Sequence, residues 1–142
     1  MSRISYDINW EKYLLTDVLE KNYMQKEFGV YFISLEPFLR RKEILYIGKI
    51  VNQTFPERIR QNYQTFNESL LKRIRNARVF VSLGLMKNVN PDEKIVSEVE
   101  NLLIFMKKPV HNNQLKNKYH GREIAIKNGG AYSPLLKIYS SP

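Results

Sequence analysis

Two runs of sequence decide how this chain folds: Phe28-Gly29-Val30-Tyr31-Phe32-Ile33-Ser34-Leu35 and Ile44-Leu45-Tyr46-Ile47-Gly48-Lys49-Ile50-Val51. Both are rich in β-branched and aromatic residues, so each predicts a strand. The link between them holds Pro37 and a charged run, which favours a turn and an antiparallel hairpin. Tyr31 and Tyr46 are therefore expected on neighbouring strands.

Helices and a third strand are predicted around this hairpin. Apolar residues at three- and four-residue spacing predict an amphipathic helix over 8–25. Thr54 is a candidate cap for a helix over 57–63, with Pro56 in its first turn. A further helix is predicted over 67–74 and a third strand over 77–85.

The most regular helical pattern covers Glu93 to Lys107, after Pro91-Asp92 and before Pro109. With 142 residues and no long linker, the chain is predicted to be one α+β domain over 1–142. Its predicted parts are an N-terminal helix over 8–25, a core over about 28–113 and a basic C-terminal extension over 114–142.

The chain is strongly basic, with 23 Lys and Arg residues against 14 Asp and Glu, a net charge of +9. From Leu103 onward there are seven basic residues and one acidic residue. Such a charge attracts polyanions, and nucleic acid is the first candidate. With no cysteine and no apolar signal core after Met1, we expect a cytoplasmic protein.

Several residues have the chemistry needed to hydrolyse a phosphodiester. Tyr31 and Tyr46 can relay a proton, and Arg58 offers paired donors that match a phosphate. Glu100 offers one carboxylate to a hard cation, which is enough for Mg²⁺. Asn112 is a candidate to orient Glu100 or to contact phosphate.

Each of these residues also has a structural interpretation. The tyrosines can serve packing, Arg58 can lie on a solvated helix face, and Glu100 can pair with a lysine. His111 and His120 lack the spacing of metal ligands. The order and spacing of the set are more specific than any single member.

In these motifs the chain resembles the GIY-YIG nuclease family, which is named for two tripeptides. Gly29-Val30-Tyr31 matches the first with valine in the middle, and Tyr46-Ile47-Gly48 matches the second. Phe55-Pro56-Glu57-Arg58 resembles the family's helix arginine, and Glu100-Asn101-Leu102-Leu103-Ile104 its later glutamate. Lys108-Pro109-Val110-His111-Asn112 resembles its closing asparagine segment.

The resemblance implies a three-stranded antiparallel central sheet flanked by helices, and a divalent-metal-dependent DNA endonuclease. It implies Tyr46 or Tyr31 as general base, with Tyr46 preferred, Arg58 as phosphate ligand, and one Mg²⁺ or Mn²⁺ ion on Glu100. A homodimer would supply a second active site for cutting both strands. The residues assigned to the substrate are Gly48, Lys49, Arg60, Asn62 and Tyr63.

The chain also departs from the family pattern. One helical turn after the arginine, where the family often has His or Tyr, stands Asn62, and Tyr63 is its neighbour. An inactive DNA-binding module on the same fold is therefore an alternative. An interaction protein in which the tripeptides are coincidental is a third.

Overall fold

A six-stranded mixed sheet forms the centre of the computed structural model, which describes residues 3–20, 25–36, 43–65, 78–112, 114 and 116–142. The strand order is β3-β2-β4-β1-β5-β6, and the β1–β5 pair is parallel. In chain order the elements are β1 (Ile4–Leu14), α1 (Leu15–Glu20), β2 (Lys26–Glu36), β3 (Glu43–Thr54), α2 (Phe55–Thr65), β4 (Arg78–Met86), α3 (Glu93–Lys107), β5 (Ile124–Gly130) and β6 (Ile138–Ser140).

The predicted three-stranded antiparallel sheet is wrong, because three further strands extend it. The hairpin is correct: β2 and β3 pair antiparallel, with Tyr31 opposite Gly48 and Ile33 opposite Tyr46. The predicted third strand is also present, as β4 beside β2. Strands β1, β5 and β6 continue the sheet on the other side of β4.

The predicted N-terminal helix over 8–25 is a strand over 8–14 and a helix over 15–20, and residues 21–24 lie outside the described part of the chain. Tyr6, Ile8 and Trp10 are buried on one face of β1, a two-residue alternation that specifies a strand. Only the short α1 matches the helical periodicity, with Leu15 and Val18 buried. The spacing that predicted the longer helix included apolar residues of β1, which instead follow the two-residue alternation of a strand.

Helices cover both faces of the sheet. Helix α3 packs on one face, where its apolar stripe joins Trp10, Phe32 and Ile126 in one core. On the other face α1 and α2 enclose a second core that includes Tyr31 and Phe55. Strand β3 is the edge strand between α2 and α3, so side chains from both helices can meet there.

The two helices that matter for the site have well-defined starts. Thr54 Oγ1 accepts a hydrogen bond from the Glu57 amide at 3.2 Å, as its predicted capping role requires. Asp92 Oδ1 accepts from the Ile95 amide at 2.9 Å, and α3 ends at Lys107, which confirms that prediction. The predicted helix over 67–74 lies outside the described residues. Within the described ranges, no helix combines the length and the apolar run needed to cross a membrane.

Candidate active site

The two tyrosines meet across the hairpin, as predicted. Their ring centroids are 6.1 Å apart, and the Tyr31 ring is fully buried while Tyr46 is half-buried. Gly48 makes this possible, because a β-carbon at that position would lie 2.5 Å from the Tyr31 hydroxyl oxygen. The glycine is therefore required for the Tyr31 ring to lie over β3.

Helix α2 brings Arg58 to the same place. Its Nε donates to the Lys49 carbonyl at 2.9 Å, and a terminal nitrogen donates to Asn62 Oδ1 at 3.2 Å. The guanidinium lies 5.8 Å from the centroid of the Tyr31 ring. Two neighbours thus fix the Arg58 fork beside the tyrosines, with donors left over for a ligand.

Glu100 reaches the cluster from α3. Burial raises the pKa of its carboxyl to about 7, against the opposing effects of Lys49 and Arg58. In turn, the Glu100 charge raises the pKa of both Tyr31 and Tyr46. Glu100 thus lies within electrostatic range of Lys49, Arg58 and the two tyrosines, although α3 packs on the opposite face of the sheet from α2.

The two hydroxyls differ in their ability to lose a proton. Burial raises the pKa of Tyr31 well above its usual value, whereas for Tyr46 the rise caused by burial is smaller. Arg58 lowers both. The Tyr31 hydroxyl has no partner of good hydrogen-bond geometry among the described residues, yet it lies close enough to act as a donor that lowers the pKa of Tyr46. Tyr46 is the better-placed proton acceptor of the two.

Lys49 connects the edge strand to α3. Its Nζ donates to Ser97 Oγ at 2.9 Å and lies 4.0 Å from a carboxylate oxygen of Glu93. About a third of the side chain is exposed. The predicted substrate role of Lys49 is therefore compatible with its position beside Glu100.

Two predicted site residues, Asn112 and Arg60, have contacts within the protein. Both ends of the Asn112 amide bind the backbone of Ile47, at 2.9 Å each, so this buried side chain braces the strand between Tyr46 and Gly48 and does not contact Glu100 or phosphate through those bonds. Arg60 donates from two nitrogens to the Leu19 carbonyl and joins α2 to α1. The contact of Arg60 with substrate stays a prediction.

Asn62 and Tyr63 stand near the end of α2. Asn62 is buried and serves Arg58 as an acceptor, which positions the guanidinium rather than providing a base. The backbone of Tyr63 is helical, and its side chain lies outside the described part of the structure.

A single carboxylate defines the candidate cation site. Across the described ranges, no three His, Asp or Glu side chains form a metal-binding group. Glu100 nevertheless fits a divalent ion, because its carboxylate has no hydrogen bond or ion pair with any described residue. Mg²⁺ commonly takes one or two protein carboxylates, with water and substrate phosphate as its other ligands.

Sequence reasoning missed other polar residues of α3, the helix that carries this carboxylate. Ser97 lies one helical turn before Glu100, and Asn101 lies one helical turn after Ser97. Glu98 is buried and pairs with Arg122 at 2.9 Å. The signal was available as polar residues one helical turn apart.

A comparison of the chain with protein-family models, with curated proteins and with solved structures finds no match in any of the three. The likeness to GIY-YIG nucleases therefore rests on the residues named above.

Proposed function

We propose that the protein is a divalent-metal-dependent endodeoxyribonuclease that hydrolyses phosphodiester bonds at the β3 edge. The observation that carries the proposal is the convergence of Tyr31, Tyr46, Arg58 and Glu100, which are up to 69 positions apart in sequence, into one electrostatically coupled cluster. A set of proton-transfer, phosphate-binding and cation-binding groups is what this hydrolysis needs.

Each side chain has a defined part in the proposed reaction. Arg58 donates to the non-bridging oxygens of the phosphate, and its contacts with Asn62 and the Lys49 carbonyl hold it in place. Tyr46 accepts a proton from the attacking water, helped by Arg58 and by the Tyr31 hydroxyl. Glu100 would hold a divalent cation, which would supply positive charge beside the phosphate. The charge of Glu100 raises the pKa of Tyr46, and a bound cation would offset that rise.

The basic surface supports DNA as the substrate. A cavity of about 310 Å³ at the other end of the sheet is lined by three lysines together with Asp7 and Asn9. The lysines are Lys87, Lys127 and Lys137, all exposed. Lys127 and Asn9 lie on the same sheet face as Tyr31, as the strand registers show. The exposed lysines of this cavity add positive charge that attracts a polyanion.

A matched pair of variants tests the proposal. Arg58→Lys and Arg60→Lys both keep the positive charge on α2, but only the first removes the paired donors beside Tyr31. With supercoiled plasmid and Mg²⁺ or Mn²⁺, we expect Arg58→Lys to slow nicking about 100-fold, while Arg60→Lys nicks like the wild type. Equal nicking by all three proteins would mean contamination and would refute the proposal.

The same assay distinguishes the roles of the two tyrosines. Tyr46→Phe should abolish most of the activity, because the proton acceptor is lost. Tyr31→Phe should lower it less, because only a donor to Tyr46 is removed. The reverse order of effects would move the base to Tyr31.

A catalytically inactive DNA-binding module is the second candidate. It is favoured by Asn62, an amide that holds Arg58 where a base would otherwise stand. Salt-dependent DNA binding without cleavage under any divalent metal would favour this function over hydrolysis.

A further inference from the structure

A second cavity, of about 330 Å³, lies along α3 next to the candidate active site. The loop before β5 forms its other wall. Ser97 belongs to both places, because it lines the cavity and accepts the hydrogen bond from Lys49. The side chains used below are those of Lys94, Ser97, Glu98, Asn101, His120 and Arg122.

Asn101 is the unusual residue in this cavity. It is 7% exposed, its Oδ1 is buried, and its amide makes no hydrogen bond with any described residue. Two other buried asparagines have both ends of the amide paired: Asn112 binds Ile47 at both ends, and Asn128 accepts from Trp10 and donates to a carbonyl. Buried amides are normally paired, so the Asn101 amide lacks a partner that a ligand can supply.

The charge around Asn101 indicates the rest of the ligand. Lys94 and His120 are partly or fully exposed at the cavity, and Arg122 is fixed there by its pair with Glu98. These groups attract an anion, whereas Asn101 needs a neutral donor or acceptor. A nucleotide combines the two, since its base and sugar carry hydrogen-bonding groups and its phosphate carries charge.

The size and position of the cavity restrict the ligand to one nucleotide of a DNA strand. The cavity volume is at the small end of ligand sites and does not admit a helix or a second strand. Ser97 lines the cavity and lies one helical turn before Glu100, so the β-carbons of these two residues are about 5 to 6 Å apart. The next nucleotide of a strand held at Glu100 would reach this place.

We infer that this cavity binds one nucleotide of the substrate strand beside the cleaved phosphate, with its base or sugar on Asn101 and its phosphate on Lys94 and His120. The identity of the ligand rests on the proposed function. The cavity then selects the position of the strand in the active site.

The two histidines of the chain give a site-specific test. His120 lines the cavity, whereas the His111 amide donates to Leu45 on β3. Metal-free protein is titrated with each of the four deoxynucleoside 5′-monophosphates and, separately, with inorganic phosphate, while the NMR signals of both rings are followed. We expect saturable shifts of His120, no shift of His111, and binding of at least one nucleotide about tenfold tighter than phosphate.

Variants test which residue binds the base or sugar of the nucleotide and which residue binds its phosphate. Asn101→Ala should remove the preference for nucleotide over phosphate, and Asn90→Ala, an exposed asparagine outside the cavity, should keep it. Lys94→Ala, at an exposed position that tolerates truncation, should weaken nucleotide and phosphate alike. No saturable shift of His120, equal affinity for phosphate alone, or a preference that survives Asn101→Ala would overturn the inference.

The outcome is separable from that of the proposed function. No cleavage occurs in the metal-free titration, so nucleotide binding at His120 can be present in a protein that does not nick plasmid. Conversely, nicking by the wild type with no nucleotide-dependent shift of His120 would overturn the cavity proposal alone.

Discussion

Replacing Glu100 by glutamine should make the metal-free protein more stable at pH 8. Burial raises the pKa of the carboxyl from 4.5 to about 7, so the folded chain at pH 8 holds a charge in a site that disfavours it. The shift corresponds to about 3 kcal/mol of lost stability. Glutamine has the same shape without the charge, and it should recover most of that amount.

The pH dependence of stability follows from the two pKa values of Glu100, 4.5 in the unfolded chain and about 7 in the folded chain. Between pH 4.5 and 7 the unfolded chain has released the Glu100 proton and the folded chain still holds it. The unfolded state then binds fewer protons, so wild-type stability falls as pH rises through this window. Glu100→Gln removes this fall: the two proteins should be equally stable near pH 4.5 and diverge to a difference of roughly 10 °C in Tm at pH 8.

A neighbouring glutamate on the same helix provides the control. Glu98 is 7% exposed and paired with Arg122, which is 46% exposed. Glu98→Gln breaks a favourable pair and should lower Tm at pH 8. Thermal unfolding with chelator across pH 4.5 to 8 measures all three proteins. If Glu100→Gln is less stable than the wild type at pH 8, the carboxylate is already satisfied and is not available for a cation.

Three more predictions test the framework of the site and its surface. Gly48→Ala should displace the Tyr31 ring, because the added carbon lies 2.5 Å from its hydroxyl oxygen. We expect urea unfolding to show a loss of about 1 to 3 kcal/mol in stability, and unchanged stability would contradict the packing of the hairpin. Asn112→Ala should cost about 1 to 3 kcal/mol, because the Ile47 amide and carbonyl lose their partners, and a wild-type urea midpoint would show that this bracing is not needed. A triple alanine variant of the cavity lysines should weaken duplex DNA binding and lower the salt slope by roughly 3; an unchanged slope would exclude this face from the interface. The three residues are Lys87, Lys127 and Lys137.

The sequence predicted the part of the fold in which local patterns are strong. The hairpin, α3 and the cap at Thr54 all follow from short-range signals, namely β-branched runs, Asp92 and the two prolines around α3. The sheet was predicted too small because β5 lies in a lysine- and asparagine-rich tail. Its pairing with β1 joins residues more than 100 positions apart, which no local pattern reveals.

The sequence predicted which residues form the candidate site better than it predicted the contacts they make. Tyr31, Tyr46, Arg58 and Glu100 do come together, as their order and spacing suggested. Asn112 turned out to hold the backbone of β3, because an amide can satisfy a donor and an acceptor of one residue at once. Which partner a polar side chain takes depends on tertiary packing that a motif does not encode.

The place of the divalent ion tests the central claim most directly. A crystal of the protein with an uncleaved oligonucleotide, soaked in Mn²⁺ and measured for anomalous scattering, would locate the ion. We predict a peak within about 2.3 Å of a Glu100 carboxylate oxygen, with a phosphate between it and Arg58. A bound oligonucleotide with no peak at Glu100, or a Glu100 carboxylate directed away from Tyr46 and Arg58, would contradict the account.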